Sequence, residues 1–174
     1  MNNAAAGKLE IILIAGPNGT GKTTFANALR ASGRAIAYLN ADEIARGYSD
    51  LPLSQRSVKA GRAMLLAIDG LVTSRQNVMI ETTLAGLTYI KKIEAWRDIG
   101  YYVGVIYLRP PSADIVVKRV AAGGHNVPED DIRRRFDRSW HNLHNHYMPI
   151  VDDWSIWEAD DDGGYKSVGT SEDE

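Results

Sequence analysis

A chain of 174 residues, 44% hydrophobic and 24% charged, has the size and composition of one globular domain able to cover a sheet on both faces. Its formal net charge of −2 argues against broad binding to nucleic acid or to an acidic membrane surface through bulk electrostatics. It has no cysteine, which excludes disulfides, thiolate metal sites and cysteine nucleophiles. No apolar run is long enough to span a bilayer and no leader pattern opens the chain, so a cytoplasmic location is expected.

In chain order, the apolar run Leu9 to Ala15 reads as a buried strand, and Thr24 to Ala31 behind it as a helix. Between them stands Gly16-Pro17-Asn18-Gly19-Thr20-Gly21-Lys22-Thr23-Thr24, which fits the phosphate-loop pattern G-x-x-x-x-G-K-[ST] in the strand–loop–helix context the pattern needs. Glycines let such a loop bring its N–H groups against phosphate oxygens, and the following helix adds its positive dipole end. Lys22 could reach the outer phosphates, and Thr23 could offer its hydroxyl to a magnesium ion. These residues predict a site for a nucleoside triphosphate, with ATP and Mg2+ as the expected cofactors.

Ala35 to Leu39 follows as a short second strand, and Ser54 to Arg75 as a long helix with apolar residues at helical spacing. Val78 to Ile80 is a third strand, too apolar for an exposed edge. Leu87 to Ile99 is a helix stopped by Gly100. Tyr102 to Leu108 is a fourth strand, followed by Pro110-Pro111 and a helix from a Ser112 cap to Ala122. Trp154 to Trp157 reads as the last strand. This alternation predicts an α/β fold: a three-layer α/β/α P-loop nucleotide-binding or kinase architecture with a mostly parallel five-stranded sheet and a helical lid. Residues 1–160 form one domain in this reading, with the lid at about 123–147, and the acidic stretch 161–174 is a loosely ordered tail.

In such sheets ligands sit at the carboxyl ends of the strands. Strand two runs into Asn40-Ala41-Asp42-Glu43, and strand three into Glu81-Thr82-Thr83. Phosphoryl transfer needs positioning, magnesium, cations on the moving phosphoryl group and often a carboxylate to take the acceptor's proton. Asp42 is the candidate base, against the alternative that Asp42 or Asn40 caps a helix over Glu43 to Gly47. Glu81 could hold magnesium through water, bind an acceptor hydroxyl, or pair with a neighbouring arginine. Arg62 joins Glu81 and Thr83 in the expected acceptor pocket.

After the fourth helix, Gly123-Gly124-His125-Asn126 interrupts the chain and Pro128 restarts it, with Glu129, Asp130 and Asp131 in the first helical turn. Ile132, Phe136, Trp140, Leu143 and Tyr147 form an apolar stripe. Arg133, Arg134, Arg135 and Arg138 make the helix basic, which fits a lid hinged on the paired glycines, or a solvated face paired with its own acids. One or two functional arginines are expected. His141 and His144 are three apart but lack a companion ligand at metal-binding spacing, and read as polar surface. His125 is the one histidine with a functional placement.

The phosphate loop, Asn40-Ala41-Asp42, Ile80-Glu81-Thr82-Thr83, Arg119, Gly123-Gly124-His125-Asn126-Val127-Pro128 and Ile132-Arg133-Arg134-Arg135-Phe136, taken together, resemble the zeta-toxin family of small P-loop kinases in its GGHxVP form. The resemblance covers residues 8 to 158. It implies ATP-dependent phosphorylation of the sugar 3′-hydroxyl of UDP-N-acetylglucosamine and restraint by an antitoxin protein. It implies Asp42 as the base, Lys22 as the phosphate-loop lysine, Glu81 and Thr83 as substrate contacts, Arg119 as a γ-phosphate arginine and Arg135 as the lid arginine. Leu65 stands where those toxins carry a second substrate-binding glutamate. A kinase for another metabolite, nucleoside or antibiotic, and an ATP-dependent switch without catalysis, are the competing readings; nucleic acid and membrane are not expected partners.

Overall fold

Five consecutive apolar residues, Ile11 to Ala15, are all buried, and with Glu10 they make up β1 (Glu10–Ala15). A strand apolar on both faces belongs in the middle of a parallel sheet, and β1 lies there. The protein is described by a computed structural model over residues 8–33, 36–122, 128–159 and 164–173. Along β1, Ile11, Leu13 and Ala15 enter one core and Ile12 and Ile14 the other, as the period-two geometry of a strand requires.

From β1 the chain passes through α1 (Lys22–Ala31), β2 (Ala37–Asn40), α2 (Ala41–Arg46), α3 (Leu53–Thr73) and β3 (Val78–Thr82). It continues through α4 (Ile90–Asp98), β4 (Tyr102–Arg109), α5 (Ala113–Ala122) and α6 (Glu129–Asn142). A π-helical turn over Leu143–Tyr147 extends α6, before β5 (Asp153–Ala159) and β6 (Tyr165–Thr170). The sheet order is β2-β3-β1-β4-β5-β6, parallel throughout except for the antiparallel β5–β6 pair. On one face, Met64, Ile68 and Val72 of α3, Ile93 and Trp96 of α4, and Leu143 and Tyr147 pack on the sheet; on the other lie Phe25 and Ala26 of α1. Each fully buried large aliphatic side chain contributes roughly 1.5–3 kcal/mol, so the two cores together hold the sheet rigid beneath the loops at its carboxyl edge.

The three-layer α/β/α reading holds, with one correction: six strands replace the expected five. Tyr165–Thr170, assigned from sequence to a loose acidic tail, pairs with β5 from Ser155↔Thr170 to Ala159↔Tyr165. Its anchor is aromatic. The Tyr165 ring meets Phe25 edge to face at 4.9 Å between centroids, and Trp157 approaches Phe25 from β5 at 5.6 Å, a geometry that adds to burial. Elsewhere the boundaries shift by a few residues. The helix expected from Leu87 begins at Ile90, and its stop is the predicted one: Gly100 takes φ 91, with the Tyr101 N–H donating to Trp96 O at 3.0 Å and the Gly100 N–H to Arg97 O at 2.9 Å, the pattern of a glycine C-cap.

Candidate functional site

β1 is flanked by β3 on one side and β4 on the other, so the chain's crossovers leave it in opposite directions and open a crevice at its carboxyl end. The phosphate loop fills that point. Gly16, Gly19 and Gly21 take φ values of 133, 75 and 85, open at no cost only to glycine. A Cβ on Gly16 would run into the Leu108 carbonyl oxygen of β4. The Thr20 hydroxyl closes the loop by donating to Pro17 O at 3.0 Å. The first turn of α1 has neither a side-chain cap nor an acidic residue, which leaves its N–H groups and dipole for an anion.

Lys22 is 6% exposed, and its Nζ donates to Pro17 O at 2.8 Å. Burial pushes its pKa down to about 8, against the opposing pull of Glu81 and Asp42. The loop thus holds a poorly solvated cation next to unsatisfied amides, an arrangement that a bound polyphosphate would neutralise. Thr23 sits one residue on, and its hydroxyl donates to Glu81 Oε2 at 3.0 Å. Thr24 is exposed on the same helical turn.

Glu81 is the penultimate residue of β3, opposite Ile14, directly beside the loop. None of the ion pairs among the described residues involves it. Its Oε2 instead accepts from the Thr23 and Tyr38 hydroxyls, so the arginine-pair alternative is replaced by a carboxylate held by two neutral donors. Tyr38, absent from the sequence reading, is the missed residue here. It also accepts from Asn40 Nδ2 at 3.2 Å, and burial together with the Glu81 hydrogen bond pushes its pKa up to about 12. As a tyrosine in a four-residue strand it looks like core filler in the sequence.

Asn40, not Asp42, caps α2: its Oδ1 accepts from the Asp42 N–H at 2.8 Å. The Asp42 carboxylate is thereby released from the capping role and is exposed. It opens onto a cleft of about 490 Å³ that also takes in Lys22, Arg62, Glu81, Thr83 and Arg135. Leu65 and Tyr89 line the cleft as well. Arg119 lies on the other side of the phosphate loop, where its Nη1 donates to Gly19 O at 3.2 Å.

The basic helix divides its arginines. Arg133 is paired with Asp114 at 2.6 Å and Glu129 at 2.7 Å, and Arg134 with Asp131 at 2.7 Å. These two are the solvated, self-paired face, while Arg135 reaches the cleft. The stripe of Ile132, Phe136, Trp140, Leu143 and Tyr147 is buried or half-buried as expected. The glycine hinge with His125 lies outside the described residues. His144 Nδ1 is 3.0 Å from Trp140 O, and His141 Nδ1 is 3.2 Å from Asn145 Nδ2, so both rings make contacts within their own helix. No helix among the described residues is long and apolar enough to cross a membrane.

A mostly parallel sheet with helices on both faces and a central phosphate loop define the class: a P-loop kinase fold. The zeta toxin family profile matches residues 3–147, and the chain belongs to that family. A toxin–antitoxin structure, the PezAT system of Streptococcus pneumoniae, superposes with a TM-score of 0.69 at 17% identity over 96% of this chain and 74% of that one. A gluconokinase from Sinorhizobium meliloti 1021 gives a TM-score of 0.54 at 16% identity, over 86% of this chain and 82% of that one. In sequence, the chain is 24% identical over 129 residues to an uncharacterized protein of Haemophilus influenzae, covering 72% of this chain and 91% of the relative.

Proposed function

We propose that the protein is an ATP-dependent small-molecule kinase that transfers the γ-phosphate to a hydroxyl of its acceptor. The observation that carries this reading is the shared cleft: the phosphate-loop lysine and an uncommitted carboxylate, Asp42, open onto the same space. In this reading the acceptor oxygen forms its bond to the γ-phosphorus, its proton passes to Asp42, and the bond to the ADP oxygen breaks with its electron pair leaving on ADP. Lys22 and the amides of Gly19 to Thr23 hold the phosphates. Arg119 and Arg135 approach the same phosphates from opposite sides.

The Thr23 hydroxyl and Glu81 carboxylate, 3.0 Å apart beside the loop, are hard oxygen donors of the kind Mg2+ takes. Bound there, magnesium would neutralise charge developing on the phosphates. Thr83 and Arg62 remain to hold the acceptor, whereas Asn40 lines the cleft with its side chain committed to the Asp42 N–H and the Tyr38 hydroxyl.

Two acceptors compete. Family membership favours a nucleotide sugar such as UDP-N-acetylglucosamine, and with it an antitoxin partner of the kind named in the PezAT system. Leu65 on the cleft wall favours a different acceptor, because an apolar side chain there cannot accept a hydrogen bond from a sugar hydroxyl. Incubating the protein with ATP, Mg2+ and a bacterial metabolite extract, followed by mass spectrometry, tests the proposal and names the acceptor. A phosphorylated product that vanishes with Asp42→Asn is expected. ATP binding with no phosphorylated product under any condition would reduce the protein to a nucleotide-dependent switch.

A further inference from the structure

The loop between β3 and α4, residues 83–89, forms one wall of the cleft through Thr83, Gly86, Thr88 and Tyr89. It has little regular structure of its own. Leu84 adopts φ 52, an uncommon conformation for a branched residue. The local hydrogen bonds are long ones, from the Leu84 N–H to Thr82 Oγ1 at 3.2 Å and from the Ala85 N–H to Thr83 Oγ1 at 3.4 Å. A loop with so few internal bonds needs outside support to keep one shape.

Leu84 and Tyr89 are buried in the core beneath it, and the side-chain hydrogen bonds to its carbonyls among the described residues come from one distant segment. Ser139 Oγ donates to Thr83 O at 2.5 Å, Asn142 Nδ2 to Leu84 O at 2.8 Å, and the Tyr147 hydroxyl to Gly86 O at 2.7 Å. All three donors are buried, Ser139 and Tyr147 at 0% exposure and Asn142 at 5%. Since Ser139 gives its proton to a carbonyl, the Tyr107 hydroxyl of β4, 3.0 Å away, must donate to Ser139, tying the arrangement to the sheet. The π-helical turn over Leu143–Tyr147 sets the spacing. Widening of a helix by such a turn rotates the residues after it, and here Tyr147 comes onto the same side as Ser139 and Asn142. Arg135, which lines the cleft, lies one turn before Ser139 on the same helix.

We infer that Ser139, Asn142 and Tyr147 are positioning residues for the acceptor: they hold residues 83–89 in the shape that presents Thr83 to it, and fix that wall to the helix carrying Arg135. The inference rests on the kinase reading for its functional half, while the mounting of the loop stands independently. In that reading the triphosphate is held by the phosphate loop and Lys22, while Arg135 engages only the group in transfer, so nucleotide affinity and acceptor positioning should separate on mutation. Tyr147→Phe and Ser139→Ala each remove one hydroxyl at little cost in shape. Hydrogen exchange in 83–89 should then rise about tenfold, the effect of losing one buried hydrogen bond, while the first turn of α1 exchanges as in the wild type. With the metabolite extract as acceptor source, product formed per ATP hydrolysed in water should fall about tenfold, with the dissociation constant for a fluorescent ATP analogue unchanged within twofold.

Unchanged exchange in 83–89 would overturn the inference, as would a rise shared evenly by the whole core. A parallel loss of phosphotransfer, hydrolysis and ATP-analogue binding would also overturn it. Should the wild type phosphorylate nothing, the kinase reading falls, and the exchange measurement alone decides whether the mount exists.

Discussion

Lys22 is the residue whose environment makes the sharpest quantitative claim. Its pKa stands at about 8 against an ordinary 10.5 because burial outweighs the attraction of Glu81 and Asp42. A difference of roughly 2.5 units corresponds to about 3 kcal/mol by which folding disfavours the charged lysine. The sign follows from linkage. The folded value is depressed, so between about pH 8 and 10.5 the unfolded chain binds the extra proton and stability rises with pH. Below pH 8 the penalty is complete. Replacing Lys22 with the similarly sized, uncharged methionine should therefore stabilise the nucleotide-free protein at pH 7, by about 1–3 kcal/mol once the lost Pro17 hydrogen bond is counted. For a chain of this length that is a rise in Tm of about 3–9 °C. Thermal unfolding of the two proteins followed by circular dichroism from pH 7 to 10 is the assay. The two curves should converge as pH rises. With Mg·ATP present the order should reverse, because only the wild type has an ammonium to set against the phosphates. A Lys22→Met protein that melts at or below the wild-type temperature at pH 7, with a gap that stays constant up to pH 10, would refute the reasoning.

Asp42→Asn should lower phosphotransfer by about 10²–10⁴-fold with ATP-analogue affinity within a few-fold of wild type, measured by single-turnover product formation. Tyr38→Phe removes one of the two hydroxyls on Glu81 and should raise the Mg2+ concentration for half-maximal ATP-analogue binding about tenfold, read by titration at fixed nucleotide; no change would assign Tyr38 to packing alone. Gly16→Ala forces a Cβ against Leu108 O at a φ of 133 and should cost about 3 kcal/mol from strain and overpacking together, visible as a lowered urea midpoint. Tyr165→Phe keeps the ring on Phe25 but loses the hydroxyl that donates to Gly21 O at 3.1 Å; about 1 kcal/mol of stability should go, and ATP-analogue affinity should drop with it.

Much of the site is local in sequence, and that part was legible. The phosphate loop is a contiguous pattern, and the acids at Asp42 and Glu81 each stand at the end of a readable strand. Arg135 is singled out in the sequence by the family resemblance alone, since Asp131 stands one helical turn before it; in the structure Asp131 pairs with Arg134 instead. What the sequence hides is contact between segments far apart along the chain. Tyr38 meets Glu81 across 43 positions, and Ser139 meets Thr83 across 56. A signal for the second exists in hindsight: Ser139 lies three positions after Phe136 and seven after Ile132, and Asn142 ten after Ile132, so both share the buried side of α6, where polar groups need partners. The sixth strand was hidden differently. An acidic, glycine-containing run precedes Tyr165 and reads as a terminus, and only the half-buried ends of the strand, Tyr165 and Gly169-Thr170, show that it is pinned at both ends and exposed between.

That sixth strand also governs how the molecule meets its neighbours. Without Tyr165–Thr170, β5 would present a row of bare N–H and C=O groups, the template on which one chain adds itself to another. With β6 in place, the outermost strand is short and carries Lys166 with Ser167 and Gly169 beside a single exposed apolar residue, Val168, a rim less suited to stacking. Cutting the chain back to residue 160 should increase self-association relative to the full chain, even though every group proposed to touch ATP would survive the cut.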